Sequence, residues 1–156
     1  MKEELLKQFQ EWTSFLSSIE HADWNAPLDE GKWRIHDVVS HIYRWDQYFL
    51  EEAIIPISTD SPLTLKHIDF DEFNQKAMEK GKLQSKQEIV ELSLHYRKAI
   101  IREIESQDDM KFNKEYSDGD GNKFVVESYV RDFIWHDRHH MQQIEERLKV
   151  MTSDEI

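Results

Sequence analysis

The chain has 156 residues, of which 38% are hydrophobic and 33% are charged, a composition that excludes intrinsic disorder and is typical of a single domain over residues 1–156. Its 20 basic and 32 acidic side chains give a formal charge of −12, which disfavours nucleic acids and anionic membranes as partners. The lack of cysteine excludes disulfides, thiolate metal ligands and a cysteine nucleophile.

The first residues of the chain are rich in charge, which indicates that they are not a signal peptide. The sequence contains no apolar run of about 18 residues, the length that a transmembrane helix needs. We therefore expect a cytoplasmic protein that does not interact with a membrane.

Apolar residues recur every three or four positions in the first third of the chain, a spacing typical of amphipathic helices. The spacing predicts a first helix from residue 2 to about 19 and a second from about 35 to 54. Residues 21–33 between them contain Pro27 and Gly31 and are predicted to form a loop. Pro56 is predicted to end the second helix.

A long polar connection follows over residues 56–83, and apolar residues at 70–78 predict a short helix within it. Ser85 and Glu88 match the capping-box pattern S-x-x-E, which predicts the start of a third long helix. The apolar stripe of this helix extends to Ile104.

A turn over residues 117–122 precedes the fourth long helix, which is predicted from Val126 to Leu148. The turn has acidic residues at the spacing of a calcium loop, but Lys123 and Tyr129 stand where that loop needs Gly and Glu. No calcium site is therefore predicted.

Four amphipathic helices without strand patterns of comparable length predict an all-α protein, a four-helix bundle. Short links force neighbouring helices to be antiparallel. The long crossover between helices two and three would let these two helices run parallel.

Three histidines have positions suited to binding one metal ion. His136 and His140 lie four residues apart, hence on one face of the fourth helix and beside its apolar stripe. His41 lies beside the apolar stripe of the second helix. Three imidazoles with an open position are typical of a catalytic metal site, whereas buried histidines that satisfy one another by hydrogen bonds are the structural alternative. The spacing alone leaves both interpretations open.

The other histidines are predicted to lie at the surface: His21, His36, His67, His95 and His139. Among them His95 flanks the stripe of the third helix and is a further candidate ligand. Asp37 and Asp132 each lie about one turn before a histidine of the candidate site, so either carboxylate could orient a ligand or move a proton. Solvated acids on a helix surface are the alternative interpretation for both.

Two segments together resemble the DinB/YfiT-like superfamily. Residues 31–42 begin Gly-Lys-Trp and carry a histidine near the middle of helix two, and residues 136–144 carry His-x3-His late in helix four. The family usually has Ser after the Trp, where this chain has Arg34, a difference that affects the start of the helix more than the metal ligands. The resemblance implies an up-down-down-up four-helix bundle.

The resemblance also implies a divalent metal, zinc or nickel, on His41, His136 and His140. Members of the superfamily include thiol S-transferases that use bacillithiol or mycothiol, maleylpyruvate isomerases, and proteins called metal-dependent hydrolases. It therefore implies a metal-dependent transferase or hydrolase acting on a small molecule. Because the chain has no cysteine, any thiol must come from a low-molecular-weight co-substrate.

The alternative is a non-catalytic metal- or ligand-binding bundle with a role in stress response or self-protection. A pocket lined by Trp45, Tyr48 and Tyr129 and open to the metal would favour the enzyme, whereas a fourth protein ligand that seals the metal would favour the alternative. A homodimer is a further expectation.

Overall fold

The computed structural model describes residues 1–28 and 33–154, so Gly31 and Lys32 of the family motif lie outside the described residues. The elements are, in chain order, α1 Lys2–Ser18, α2 Ile35–Phe49, a π-helical turn Leu50–Ile54, α3 Ile55–Ser58, α4 Phe70–Gly81, α5 Lys86–Ser106, α6 Asp109–Asn113, β1 Tyr116–Ser117, β2 Lys123–Phe124 and α7 Val126–Asp154. The two short strands pair in antiparallel orientation. Within the described ranges, no helix has the length and apolar character needed to cross a membrane.

Contacts near both ends of α1 and α5 show that these helices are antiparallel. Trp12, in the second half of α1, donates a hydrogen bond from Nε1 to Oγ of Ser93 in the first half of α5, at 3.0 Å. Lys2, at the start of α1, donates from Nζ to the carbonyl oxygen of Ile104 near the end of α5, at 3.1 Å. The two helices therefore run in opposite directions.

The helices α2 and α5 run parallel. Arg97 in the middle of α5 bonds to Asp46 of α2, with Nε 3.0 Å from Oδ2. Gln107, just after α5, donates from Nε2 to the carbonyl oxygen of Ile54, beyond the end of α2, at 3.3 Å. Later residues of one helix thus meet later residues of the other, as the long connection predicted.

The last helix, α7, is antiparallel to α2. The ring centroids of His41 and His140 lie 5.1 Å apart, and those of Phe49 and Phe133, further along α2 but earlier in α7, lie 5.2 Å apart. With α1 antiparallel to α5, the four long helices run up, down, down and up. The predicted four-helix bundle and its topology are confirmed.

The prediction that Pro56 ends the second helix is wrong. The chain continues through the π-helical turn into α3, and Pro56 lies in the first turn of α3. A proline has no N–H and its ring clashes with the carbonyl group four residues earlier, here that of Glu52. The wider π turn changes the position of this carbonyl, which accepts instead from the backbone N–H groups of Thr64 and Leu65 at 3.0 and 3.2 Å.

The starts of α2 and α5 are capped in different ways. At α5 the hydroxyl of Ser85 accepts from the backbone N–H of Glu88 at 3.1 Å, as the capping-box pattern predicted. At α2 the residue before the helix is Arg34, which offers no acceptor to the helix. The carboxylate of Asp37 instead accepts from the backbone N–H of Arg34 at 3.0 Å, and it also pairs with the guanidinium, with Nη2 3.2 Å from Oδ1.

The connection after helix three contains structure that the sequence did not predict. The short helix predicted within residues 70–78 is α4, which lies before α5. After α5 the chain forms α6 and the β1–β2 hairpin, which were not predicted. In the hairpin turn, Oδ1 of Asp118 accepts from the backbone N–H groups of Asp120 and Asn122 at 2.9 and 2.8 Å. Gly121 has a φ of 82°, which a glycine adopts at low cost. The acidic residues of this segment thus build a turn.

The apolar core consists of two clusters separated by a layer of buried ions. One cluster includes Leu5, Phe9, Leu50, Ile54, Ile100, Ile104 and Val130. The other includes Trp12, Leu16, Val39, Ile42, Ile89 and Ile144. Along their helices Asp46, Arg97 and Asp137 lie between the two clusters, and all three are buried.

Candidate metal centre

The structure brings His41 of α2 together with His136 and His140 of α7. One nitrogen from each ring can be chosen so that the three atoms all lie within 4.8 Å of one another. The Nε2 atoms of His136 and His140 are 3.2 Å apart. Among the described residues, this is the group of His, Cys, Asp and Glu side chains able to hold a metal ion.

The three histidines are neutral at physiological pH because of where they lie. Burial lowers the pKa of His41 well below its usual 6.5, and the neighbouring His140 and His136 lower it further. Burial, and after it the neighbouring His140, His139 and Arg97, lower the pKa of His136 to about 4. The pKa of His140 is also lowered, mainly by burial. All three rings therefore offer a lone pair to a cation without first losing a proton.

The geometry of the cluster fits a transition metal. Two imidazole nitrogens bound to one tetrahedral zinc ion at 2.0–2.1 Å are separated by about 3.3 Å, close to the spacing of the Nε2 atoms of His136 and His140. A proton shared between them would satisfy only this pair and leave His41 out. A cation would serve all three lone pairs.

Neighbouring side chains orient two of the rings. The Nδ1–H of His140 donates to Oε1 of Gln143 at 3.0 Å, which leaves the lone pair of Nε2 directed at His136. The ring of Trp33 packs edge-on against His41 at 4.7 Å between centroids. His136 packs against Phe133 at 5.5 Å, but its Nδ1 atom is buried with no hydrogen-bond partner among the described residues. Trp33 belongs to the family motif, but sequence analysis did not assign it this contact.

Neither candidate carboxylate belongs to the cluster. Asp37 is buried and is held by Arg34 at the start of α2, so it is not a solvated acid and its role is to cap the helix. Asp132 is exposed on the surface of α7, which agrees with the alternative interpretation of a solvated acid. Both are absent from the group of metal-binding side chains described above.

Two of the three predicted pocket residues line one described cavity. Trp45 and Tyr48 line a cavity of 160 Å³, whose lining includes neither Tyr129 nor the three histidines. Tyr129 is buried in the core, where its ring lies 4.6 Å from that of Phe49. Its hydroxyl has no hydrogen-bond partner in the described part of the chain, and burial raises its pKa well above 10. The side chain of Tyr129 points into the bundle because α7 presents this face to α1 and α2.

The prediction for His36 is wrong, because this residue is buried. Its Nε2 lies 2.8 Å from the carbonyl oxygen of Gly81, and its ring packs against Trp24. The helix α4 covers this part of α2, a contact that the spacing of apolar residues does not indicate. His95 and His139 are exposed as predicted, and so are His21 and His67.

A fully buried ion network, which was not predicted from the sequence, lies beside the cluster. Arg97 of α5 bonds to Asp46 of α2, with Nε–Oδ2 at 3.0 Å and Nη2–Oδ1 at 3.2 Å. It also bonds to Asp137 of α7, with Nη1–Oδ2 at 2.7 Å and Nη2–Oδ1 at 3.2 Å. Its Nη1 donates to the carbonyl oxygen of Phe9 in α1 at 2.9 Å, and the guanidinium lies 4.0 Å from the centre of the Phe9 ring.

The network carries charge at neutral pH. Burial raises the pKa of Asp137 to about 6 against the lowering effect of the guanidinium, so this carboxyl group is ionised at pH 7. Burial alone would lower the pKa of Arg97, but the two carboxylates raise it above its ordinary value. The signal for this network in the sequence was one basic and two acidic residues on the apolar stripes of three helices, namely Arg97, Asp46 and Asp137.

The fold and the site together define an all-α, up-down-down-up bundle that holds three histidines between its second and fourth long helices. The chain belongs to the DinB superfamily, whose family model matches residues 4–144. The resemblance found in the histidine motifs is therefore confirmed. No curated protein matches the sequence.

Two solved structures share the fold. YfiT from Bacillus subtilis, described as a probable metal-dependent hydrolase with an unusual four-helix bundle topology, has a TM-score of 0.75 and 16% identity, with 97% of this chain and 87% of YfiT covered. A mycothiol-dependent maleylpyruvate isomerase has a TM-score of 0.70 and 14% identity. There the match covers 92% of this chain and 60% of the isomerase. At these identities the likeness concerns the fold.

Proposed function

We propose that this protein is a metal-dependent enzyme, a thiol S-transferase or hydrolase acting on a small molecule, with zinc or nickel held by His41, His136 and His140. The observation that carries the proposal is the convergence of three neutral, largely buried imidazoles from two helices on one point. Among the described residues a single hydrogen bond, between His136 and His140, joins the three rings. Burying imidazole nitrogens without partners costs free energy, and a shared cation offsets that cost.

The residues of the chain have separable roles in this proposal. The three histidines bind the metal, and Gln143 fixes the tautomer of His140 through its Nδ1–H. Trp33 covers one edge of the His41 ring and excludes water from that side. A bound zinc or nickel ion would supply a Lewis acid that lowers the pKa of a coordinated water or thiol, or polarises a carbonyl group.

The choice between hydrolase and thiol transferase depends on what occupies the remaining coordination position. Because the chain contains no cysteine, a transferase reaction needs a free low-molecular-weight thiol as the nucleophile. A hydrolase needs only water. Of the two solved structures with this fold, one is described as a probable metal-dependent hydrolase and the other as a mycothiol-dependent isomerase, which supports keeping both water and a thiol as candidates.

Metal analysis of protein purified without a histidine tag tests the proposal first. We expect about one zinc or nickel ion per chain, since one cluster of three ligands binds one ion. His41→Ala should lose this metal, whereas His95→Ala, at an exposed position on α5, should retain it. Protein that stays metal-free after dialysis against zinc and nickel would contradict the proposal.

Activity of the metal-loaded protein then separates the two reactions. Hydrolysis of activated esters and amides is compared with conjugation of a low-molecular-weight thiol to an electrophile, each with wild type and His41→Ala. A reaction that requires both the thiol and His41 identifies a transferase. One that proceeds without a thiol and still requires His41 identifies a hydrolase. Metal binding without either reaction over a broad panel would favour the non-catalytic alternative.

A further inference from the structure

We propose that Arg97 is a positioning residue of the three-histidine site, which fixes the distance between the ligand of α2 and the two ligands of α7. This inference rests on the proposed function, because it assumes that the histidines bind a metal. It gives a role to the buried ion network of Asp46, Arg97 and Asp137, which has no role in the proposed function. The network is fully buried and lies at the level of the bundle where α2, α5 and α7 meet.

The hydrogen bonds of Arg97 leave no freedom at the guanidinium. Its five N–H groups make five hydrogen bonds: two to Asp46, two to Asp137 and one to the carbonyl oxygen of Phe9. The planar fork fixes both carboxylates relative to each other in distance and in angle. Because Asp46 belongs to α2 and Asp137 to α7, Arg97 sets the separation of these two helices.

Both carboxylates are close in sequence to the metal-binding histidines. Asp137 directly follows His136, and Asp46 lies five residues after His41, about 7.5 Å along the helix axis. Helices transmit a fixed position over such a distance with little bending. A change in how Arg97 holds either carboxylate therefore moves the histidine rings relative to one another.

The rings of His136 and His41 are the ones least constrained by hydrogen bonds of their own. His140 is oriented by Gln143, but Nδ1 of His136 and Nδ1 of His41 have no hydrogen-bond partner among the described residues. In most metal sites that second nitrogen donates to an acceptor which orients the ring. The position of His136 therefore depends on its backbone and on the contact with Phe133, and the side chain of the next residue, Asp137, is held by Arg97.

The test compares zinc affinity with stability in Arg97→Lys. Lysine keeps the positive charge but cannot form paired hydrogen bonds to both carboxylates. A change in zinc affinity therefore reports the positions of the carboxylates and not the charge. We expect zinc affinity, measured by competition with a chromogenic chelator, to fall about tenfold or more. The d–d absorption spectrum of the cobalt-loaded protein should change as well, because it reports ligand geometry.

A matched variant separates positioning from a general loss of stability. Ser93→Ala, one turn before Arg97 in α5, removes the buried hydrogen bond from Trp12 of α1, and among the described residues no hydrogen bond joins the Ser93 side chain to α2 or α7. It should lower the melting temperature of the metal-free protein yet keep zinc affinity within about threefold of wild type, a difference of less than 1 kcal/mol in binding free energy. Zinc affinity and a cobalt spectrum unchanged in Arg97→Lys would overturn the proposal.

If Arg97→Lys does not fold, Asp46→Asn provides the test. It weakens the contact of Arg97 with α2 and removes one negative charge. Glu11→Gln is its charge-matched control. Glu11 pairs with Arg138 on the surface, and its negative charge raises the pKa of Asp137. A loss of zinc affinity in Asp46→Asn alone supports positioning, whereas equal losses, or none, would overturn it. Wild-type protein that binds no metal would refute the proposed function itself, a result distinct from all of these.

Discussion

Removing one ligand should abolish metal binding and leave the fold intact. In His140→Ala the chain loses a half-buried ring whose hydrogen bonds within the described residues are to Gln143 and His136. The change removes few core contacts, so we expect the metal-free variant to be destabilised by about 1 kcal/mol, a typical cost of a single substitution. The chain is long enough to form its core without a metal, unlike a zinc finger.

The effect on the metal-loaded protein is larger. At free zinc about 1,000 times its Kd, binding stabilises the native state by about 4 kcal/mol. For a domain of about 150 residues, each kcal/mol changes the melting temperature by about 2–4 °C, so zinc should raise that of wild type by roughly 8–16 °C. His140→Ala should show almost none of this increase.

Thermal unfolding followed by circular dichroism, with metal content measured on the same samples, provides the assay. The control is His139→Ala at the neighbouring position, whose exposed ring stacks on Trp135 and has no place in the cluster. It should bind zinc and show the wild-type increase. Stoichiometric metal in His140→Ala would refute the ligand assignment, and loss of its helices would show that the site is needed for folding.

Three further predictions concern pH and stability. In the metal-free protein the pKa of His136 is lowered to about 4, mainly by burial, so between about pH 6.5 and 4 the unfolded chain binds a proton that the folded chain does not. Wild type should therefore lose stability relative to His136→Ala as the pH falls from 7 to 5 in urea unfolding, and a difference independent of pH would be evidence against this reasoning. Asp37→Asn removes the ionised partner of Arg34 and should lower the free energy of unfolding by about 1 kcal/mol with zinc affinity unchanged; a variant that loses its metal would show that Asp37 serves the site. Gly81→Ala places a Cβ atom 2.8 Å from that of Ser40 and should cost about 1–3 kcal/mol, measured by chemical denaturation, whereas wild-type stability would mean that α4 shifts freely.

The long helices and the histidine cluster were predictable because their signals are local and periodic. Apolar spacing places the long helices within a few residues of their observed bounds, and the spacing of His136 and His140 puts both on one face. The contact between α7 and His41 depends on the topology of the bundle, and the resemblance to the family implied that topology. The long connection independently indicated that α2 and α5 run parallel.

The features that were missed depend on contacts between distant parts of the chain. His36 is buried because α4 packs on it, and no property of its own helix indicates that contact. Pro56 continues a helix because Thr64 and Leu65 bond to the carbonyl that it leaves free. Arg97 satisfies carboxylates on two other helices, and only a view of all three apolar stripes together would have indicated this network.

The most direct test of the central claim is a crystal structure of the zinc-loaded protein with anomalous diffraction recorded at the zinc edge. We expect one strong anomalous peak per chain, about 2.0–2.2 Å from a nitrogen of each of His41, His136 and His140. A zinc ion bound elsewhere, with the three rings left joined only by hydrogen bonds, would contradict the account.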